Sequence, residues 1–245
     1  SMPALSPATR WPPRPVGRRS NSSPPRCTTP CVLARRAWPG LRSHALEDLV
    51  DAARLWPIAL LEILGTGTRH LEQRSLERAH RVIAAHEAGE HARIRMKMNA
   101  LVHPRVIEAL YTASAAGVPV RLNVRGICCL RPGVPGLSEN VTVKSIIGRF
   151  LEHHRIFYFH DGGKESVYLS SADWMYRNFF RRIELAFPIL DAKLKKRVIT
   201  EGLKFYLADN QQSWDMNGDG VYQRRRSARA KPHSAQSELM LTLGS

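Results

Sequence analysis

The stretch from Ile94 to Val124, IRMKMNALVHPRVIEALYTASAAGVPVRLNV, decides the fold. Its first five residues, Ile94–Met98, predict a buried strand. Pro104–Ala116 predicts a helix, because it has proline in its first turn, apolar residues at helical spacing and a glycine just after its end. Val118–Val124 alternates apolar and polar residues as a strand does. A strand, a helix and a strand in succession favour an α/β domain.

Outside this stretch, the same signals predict four further strands and three further helices. The strands are Val141–Ile146, Ile156–Phe159, Val167–Ser170 and Ile183–Ile189, and the helices are 45–63, 71–88 and Asp191–Leu207. Asp191 is the expected N-cap of the last helix. The sequence Asp161-Gly162-Gly163 predicts a hairpin turn between two of the strands.

Composition divides the chain into four predicted segments. Residues 1–44 hold nine of the 16 prolines and few aliphatic residues, so we expect a disordered arm rich in arginine and proline. Residues 45–90 are expected to form a helical extension and residues 91–209 the α/β domain. Residues 210–245 are expected to be a polar, basic tail with an arginine cluster at 224–226.

The chain is strongly basic, with 245 residues and a net charge of +16. Such a balance predicts polyanionic partners, namely nucleic acid, anionic lipid, nucleotide or polyphosphate, and does not choose among them. No run of 18 or more apolar residues is present, so no membrane span is expected. Four cysteines do not form a disulfide scaffold at this length, which favours a cytoplasmic protein. Cys27 and Cys31 lack a second pair of ligands, so a zinc site is not expected.

Several polar residues stand where loops enter or leave the predicted strands. They are Lys97, Asn99, Arg125, Arg155, Ser170, Ser171 and Asp173. Ligands of open α/β folds bind where successive strand ends converge, and lysine, arginine and hydroxyl groups are the usual donors to phosphate oxygens. The pattern therefore indicates a phosphate-binding site. A solvated strand end would explain Lys97 equally well, and a closed turn would explain Arg125.

A histidine stands among these cations. His153 lies beside His154 at the start of a predicted strand, and neighbours on a strand point to opposite faces. We therefore expect one of the two to be buried or functional and the other to be solvated. Beside phosphate-binding cations, an imidazole can act as a nucleophile or a proton donor. A histidine taken alone is more often structural, and the residues by themselves leave both interpretations open.

Four runs of sequence resemble, in order, the C-terminal catalytic domain of the large polyphosphate kinases. They are Lys97–Val102 (KMNALV), Val124–Asn140 (VRGICCLRPGVPGLSEN), Gly148–His153 (GRFLEH) and Val167–Met175 (VYLSSADWM). The second and fourth are highly specific, because chance would not reproduce runs of that length in order. The resemblance extends from about Arg93 to Asp209, and Gln236, Glu238 and Leu239 resemble the family's C-terminus.

The resemblance implies a fold and a reaction. In this family a pair of phospholipase-D-like domains, each a mixed sheet flanked by helices, face each other across the active-site cleft. The family transfers the terminal phosphate of ATP reversibly to polyphosphate, with magnesium and a phosphohistidine intermediate. The implied partners are therefore ATP or ADP and polyphosphate. The implied cofactor is Mg²⁺, which would arrive with ATP and have no ligands in this chain.

The resemblance also implies roles for single residues. His153 matches the catalytic histidine of the family's second domain, whose implied role is proton transfer to or from the phosphoryl group. Arg125 matches an arginine that contacts the phosphates of the nucleotide. Arg155 belongs to the Glu-His-x-Arg run of the same motif. The residues in shared motifs that would line the cleft are Lys97, Asn99, Ser170, Ser171 and Asp173.

The chain departs from the family's pattern in several places. Nothing in it resembles the His-x-Lys nucleophile motif or the magnesium-binding arginines of the first domain. This implies impaired activity unless a partner chain or a homo-oligomer supplies the other half. His103 stands where the family usually has an acid. Tyr176, Phe179 and Phe180 interrupt a run that usually has a smaller residue and an Asp, and we expect two exposed phenylalanines that close the cleft or alter a partner surface.

Two other functions compete with a polyphosphate kinase. A non-catalytic polyanion-binding protein would use the domain and the arginine-rich arm to hold polyphosphate or nucleic acid. A phospholipase-D-like nuclease or lipase needs His-x-Lys followed by Asp. Because Arg155 occupies the lysine position of that motif here, phosphodiester cleavage is the least favoured of the three functions.

Overall fold

A computed structural model describes residues 69–224 and 231–243, all of which belong to one compact unit of the chain. The helix predicted over 45–63, the arginine-rich arm and residues 225–226 of the arginine cluster lie outside the described residues. Among the described helices, none combines the length and the apolar character that crossing a bilayer requires.

The described residues form six helices, one π-helical segment and eight strands. The helices are α1 (Arg69–Glu87), α2 (Pro104–Ala115), α3 (Tyr176–Phe180), α4 (Ala192–Arg197), α5 (Phe205–Ala208) and α6 (Ala235–Leu243), and the π segment is Val198–Lys204. The strands are β1 (Ala92–Met98), β2 (Val120–Val124), β3 (Val141–Ile146), β4 (Ile156–Asp161), β5 (Lys164–Ser170), β6 (Ala186–Pro188), β7 (Ser213–Met216) and β8 (Tyr222–Arg224).

The strands form one mixed sheet in the order β6-β5-β4-β1-β2-β3-β7-β8. β1, β2 and β3 are parallel to each other, and the remaining pairs are antiparallel. The Gly162-Gly163 turn joins β4 to β5 with both glycines at positive φ, 61° and 91°, which is why this two-residue hairpin takes glycine. The predicted α/β class, a mixed sheet flanked by helices, is confirmed.

Alternation along the strands separates two faces of the sheet. On one face Ile94, Met96 and Met98 pack with Phe157 and Phe159 against the apolar sides of α1 and α2. Burying this face supplies most of the favourable free energy of folding, because apolar burial scales with the area removed from water.

The opposite face of the sheet is more polar. There Ile156, Tyr158 and Val167 pack against Ile199 and Leu203 of the π segment. The strand alternation R-I-R-M-K-M places Arg93, Arg95 and Lys97 on this second face, since they alternate with the buried residues of the first. The second face therefore carries the charged residues of β1.

Two sequence predictions need correction, and one is refined. The strand predicted over Ile183–Ile189 is only Ala186–Pro188, and Ile183 is fully exposed. The predicted helix Asp191–Leu207 is confirmed as a continuous helical stretch, but its middle is the π segment. Residues 210–245 are not simply a polar tail. β7 and β8 extend the sheet beyond β3, and α6 follows, because a partly buried Trp214 and a buried Met216 give this segment an apolar side.

Candidate active site

The predicted site residues converge at one edge of the sheet. β1 and β2 are parallel, so Asn99 and Arg125 follow their strands at the same edge. β4 is antiparallel to β1 and pairs Ile156 with Lys97, which brings the preceding His153 to this edge as well. β5 ends there too, because Leu169 pairs with Ile156. The topology therefore assembles the residues that the sequence pattern singled out.

A buried ion pair lies at the centre of this edge. Lys97 Nζ donates to Glu152 Oε2 at 2.6 Å, and the two side chains are only 2% and 4% exposed. The ammonium group also lies 3.1 Å from the centroid of the Tyr206 ring, a cation–π contact. Gln236 Nε2 donates to the other carboxylate oxygen, Glu152 Oε1, at 2.6 Å. Lys97 is thus enclosed by its partners and does not reach solvent.

The ion pair shifts the pKa of both partners. Burial lowers the pKa of Lys97 to about 8, against the opposing attraction of Glu152. Burial alone would raise the pKa of Glu152, but His154, Lys97 and Gln236 outweigh burial and hold that pKa at about 2. Both groups are therefore charged at neutral pH.

Asp173 holds a second cluster together. Its Oδ1 accepts from the main-chain nitrogens of Asn99 at 2.8 Å and Ala100 at 3.2 Å, and from Asn99 Nδ2 at 3.2 Å. Its Oδ2 accepts from Arg155 Nη2 at 3.0 Å. Burial would raise the pKa of Asp173, but the hydrogen bonds from Arg155 and the Asn99 main chain outweigh burial and lower it. Asp173 is thus a buried anchor for the Asn99 turn and for Arg155.

His153 lies against the guanidinium that Asp173 anchors. Arg155 Nη1 is 3.4 Å from His153 Nδ1, Arg155 Nη2 is 3.5 Å from His153 Nε2, and Nη1 also donates to the His153 carbonyl at 3.3 Å. A guanidinium has donors only and an imidazole has at most one accepting nitrogen, so at most one of the two ring contacts is a hydrogen bond. The imidazole itself is exposed.

The expectation that His153 and His154 take opposite faces of a strand is wrong. Both are exposed and lie in the loop before β4, and Glu152 is the buried residue of this run. His154 Nδ1 comes within 3.3 Å of Lys97 Nζ and 3.7 Å of Glu152 Oε2 at the rim of the buried pair. A loop has no strict two-residue alternation, so the strand argument did not apply.

Arg125 carries an unpartnered donor. Its main-chain nitrogen donates to Met98 O at 3.2 Å, which extends the β1–β2 ladder by one residue. Its guanidinium Nη1 is buried and has no hydrogen-bond partner among the described residues. Gly126 follows so closely that a Cβ there would lie 2.9 Å from Asn99 O. The Arg125 guanidinium therefore keeps a donor that no described residue uses.

The two serines stabilise a turn. Ser170 Oγ donates to Leu185 O at 2.9 Å and accepts from Ala172 N at 3.0 Å. Ser171 Oγ donates to Glu184 and accepts from Leu185 N at 2.9 Å. Both hydroxyl groups are thus engaged with the chain at 184–185 or with their own turn.

The prediction of two exposed phenylalanines among the departures from the family pattern is wrong. Phe179 is fully buried and Phe180 is partly buried, so they are not a pair of exposed phenylalanines. His103 packs edge-on against Phe179, with ring centroids 5.0 Å apart, and its centroid is 5.8 Å from that of Phe180. Tyr176 is exposed, as a cleft-side residue can be. The residues at 103, 179 and 180, which differ from the family's pattern, therefore pack against one another.

Sequence reasoning missed three residues of the site: Glu152, Tyr206 and Gln236. Glu152 and Gln236 lie in sequence segments that resemble the polyphosphate kinases, and this resemblance could have indicated them as site residues. Tyr206 carried no such signal, because it is an aromatic residue on a helix whose apolar spacing predicts only a core position.

Comparison with known proteins agrees with the resemblance. A family model described as "Polyphosphate kinase C-terminal domain 2" matches residues 65–236. The chain is 63% identical over 159 residues to the polyphosphate kinase of Burkholderia cenocepacia (strain HI2424), covering 65% of this chain and 23% of that protein. It is 61% identical over 165 residues to the polyphosphate kinase of Paraburkholderia phytofirmans (strain DSM 17436 / LMG 22146 / PsJN). This match covers 67% of this chain and 24% of that protein.

The chain belongs to the polyphosphate kinase family.

A solved polyphosphate kinase agrees in three dimensions. The crystal structure of the polyphosphate kinase from Porphyromonas gingivalis superposes with a TM-score of 0.68 at 39% sequence identity, covering 71% of this chain and 26% of that one. The chain spans about a quarter of the length of the curated polyphosphate kinases it matches. The region shared with the polyphosphate kinases contains the whole edge described above.

Proposed function

We propose that this chain provides one half of an ATP:polyphosphate phosphotransferase site, with His153 as its proton-transferring group. The observation that carries the proposal is an exposed imidazole 3.4 Å from an arginine that is itself anchored by the buried Asp173. This arrangement holds a general acid or base in place at the surface while supplying positive charge beside it. Phosphoryl transfer depends mainly on positioning and on neutralising oxygen charge, and both are available here.

In this proposal, the contacts of each site residue determine its role. Arg125, with its unpartnered Nη1, and Arg155 would bind phosphate oxygens directly. Lys97 is enclosed by Glu152 and Tyr206. It would therefore position the His153 loop and would not contact phosphate directly. Asn99 and Asp173 orient Arg155.

The two serines contribute to the same site through structure. Ser170 and Ser171 would hold the turn that carries Asp173, since their hydroxyl groups are bonded within that turn and to residues 184–185.

The remaining chemistry comes from the resemblance. It places the nucleophilic histidine, which would carry the phosphoryl group, in the family's first domain, so we expect this chain alone to turn over slowly. Mg²⁺ would enter with ATP. Within the described residues, no group of three or more His, Cys, Asp or Glu side chains is placed to hold a metal ion.

The test is ATP formation from ADP and polyphosphate by the full chain, with His153→Ala beside it. We expect low activity that falls by about a hundredfold or more in His153→Ala, because positioned proton transfer contributes that much. His80→Ala is the control, since it removes an exposed imidazole on α1. Rapid turnover by the chain alone would contradict the half-site assignment.

The non-catalytic alternative makes a different prediction in the same experiment. If the chain only holds polyanions, His153→Ala would leave both polyphosphate binding and any phosphotransfer unchanged. That result would replace the proposed function with a binding role.

A further inference from the structure

A groove lined by lysines begins at the β4–β5 hairpin, at the end of the sheet opposite the candidate active site, and runs along the helical stretch after β6. It has a volume of about 640 Å³, and we name it the lysine groove after Lys164 in the β4–β5 hairpin and Lys195, Lys196 and Lys204 on the helical stretch after β6. β4 starts beside the His153 loop and ends at this hairpin, and its six residues span roughly 20 Å. The hairpin end of the lysine groove is therefore about the length of β4 away from the His153 loop, whereas Lys204, at its other end, lies two residues before Tyr206, which covers Lys97.

The charges of the lysine groove are largely unneutralised. Among the described lining residues, Glu165 is the one acid against four lysines, and its Oε1 also accepts from the Tyr158 hydroxyl at 2.6 Å. Lys195 Nζ donates to the main-chain oxygen of Glu165 at 3.1 Å. The other three lysines take part in none of the ion pairs between described residues. An uncompensated cluster of this kind attracts anions.

The positive surface continues beyond the lysine groove. The guanidinium of Arg95 lies 5.9 Å from the centroid of the Tyr158 ring, whose hydroxyl group binds Glu165. Arg93 and Arg121 line a second cavity, of about 130 Å³, together with Arg95. Arg93 Nε is buried without a hydrogen-bond partner among the described residues. Burial, and then the charge of Arg93, lower the pKa of Arg95, so these guanidinium groups are crowded together.

The dimensions and chemistry of the lysine groove indicate which class of ligand it can bind. Lys196, Thr200 and Lys204 lie roughly one helical turn from one another, so the two lysines are on the order of 10 Å apart along this largely π-helical stretch. One phosphate group cannot reach both ends, whereas a chain of phosphates can. Among the described residues, no aromatic side chain lines the groove, and proteins that bind single-stranded nucleic acid stack the bases on aromatic rings. The groove therefore suits a polyanion without bases.

We propose that the lysine groove is a second binding site for long polyphosphate chains, outside the contacts around His153 and continuous with the arginines of the second face. The identity of the ligand rests on the proposed function, and the site itself rests on the groove's geometry and charge. A chain held here and at the candidate active site would be bound at two places, which favours long chains over short ones.

The experiment compares long-chain polyphosphate with tripolyphosphate in equilibrium binding to the full chain, without nucleotide. We expect the double variant Lys196→Gln/Lys204→Gln to weaken long-chain binding roughly tenfold, because two charge-assisted contacts are lost. We expect the slope of log affinity against log salt to fall by about two, one unit for each lysine removed. Tripolyphosphate binding should not change.

The matched control is Arg81→Gln/Lys193→Gln, which removes two exposed charges outside the lysine groove. Equal weakening by the control would show that net charge, and not the groove, binds the chain. Equal affinity for single-stranded DNA of the same charge, equally sensitive to the groove variant, would overturn the assignment to polyphosphate. His153→Ala should leave this binding intact, so a failure of the proposed catalytic role can be told apart from a failure of the groove.

Discussion

The Lys97–Glu152 ion pair lies inside the protein, where neither charge has access to water. Each ion is costly to desolvate, and the cost is offset because Tyr206 and Gln236 complete the environment of the pair. The pair fixes Glu152, and Glu152 is the neighbour of His153. A buried charge pair thus sets the position of an exposed imidazole.

Removing one partner should therefore be costly. Glu152→Gln keeps the shape of the side chain but leaves the Lys97 ammonium buried without an anion, and we expect a loss of about 3 kcal/mol in the free energy of unfolding. Urea unfolding followed by tryptophan fluorescence measures this loss. Glu201→Gln is the control, because its partner Arg197 is exposed and the pair should contribute little. Equal losses in the two variants would contradict the argument.

The same pair predicts how stability depends on pH. Glu152 has a pKa of about 2 in the folded chain against an ordinary 4.5, so its contribution is complete above about pH 4.5 and is lost as the pH falls towards 2. Lys97 has a pKa of about 8 against an ordinary 10.5, so the unfolded chain holds this proton more tightly and stability rises between about pH 8 and 10.5.

Urea midpoints measured across both pH ranges test these signs. The acid loss should be smaller in Glu152→Gln than in the unmodified chain. An identical acid slope in the two proteins would show that other carboxylates account for it.

Among the secondary-structure elements, the stretch Ala192–Ala208 has the least ordinary geometry. It is a helix whose middle, Val198–Lys204, has π-helical hydrogen bonding. A π turn inserts a residue into the helical ladder and so rotates every residue after it. Tyr206 follows this insertion and covers Lys97, while Ile199 and Leu203 pack on the sheet. The element thus serves both the core and the site.

The start of this stretch offers a test. Asp191 Oδ1 accepts from Leu194 N at 2.8 Å, an N-cap bond. Asp191→Ala should cost about 1 kcal/mol of unfolding free energy, because an unpaired helix nitrogen is left behind. Asp191→Asn retains the acceptor and should cost much less. Thermal unfolding of both variants measures the difference, and equal losses would mean that the cap bond is not what stabilises the helix start.

At the scale of the whole molecule, the C-terminal segment is part of the site. The side-chain amide of Gln236 accepts from Phe150 N through Oε1 at 3.0 Å and donates through Nε2 to Phe150 O at 2.9 Å and to Glu152 Oε1. These contacts join α6 to the loop that carries His153. The loop is therefore held by a residue more than 80 positions away along the chain.

Loss of this amide should loosen the loop. Gln236→Ala leaves three buried or half-buried polar groups without their partner, and we expect a loss of about 1–3 kcal/mol in unfolding free energy. Faster hydrogen exchange at residues 148–155 should accompany the loss. Ser237→Ala is the matched control, since Ser237 is the exposed neighbour. Unchanged exchange in this loop would show that Gln236 does not hold it.

The sequence by itself determined the α/β class, most element positions between residues 71 and 207, and the strand ends at which the site residues stand. Each of these is encoded locally, in two-residue or helical periodicity and in the turn residues between elements. Only the tertiary structure decided that Glu152 is the buried residue beside His153, that Phe179 packs on His103, and that β7, β8 and α6 complete the fold. The physical reason is distance along the chain: Lys97 and Glu152 are 55 residues apart, and Glu152 and Gln236 are 84 apart, so no local pattern records their contact.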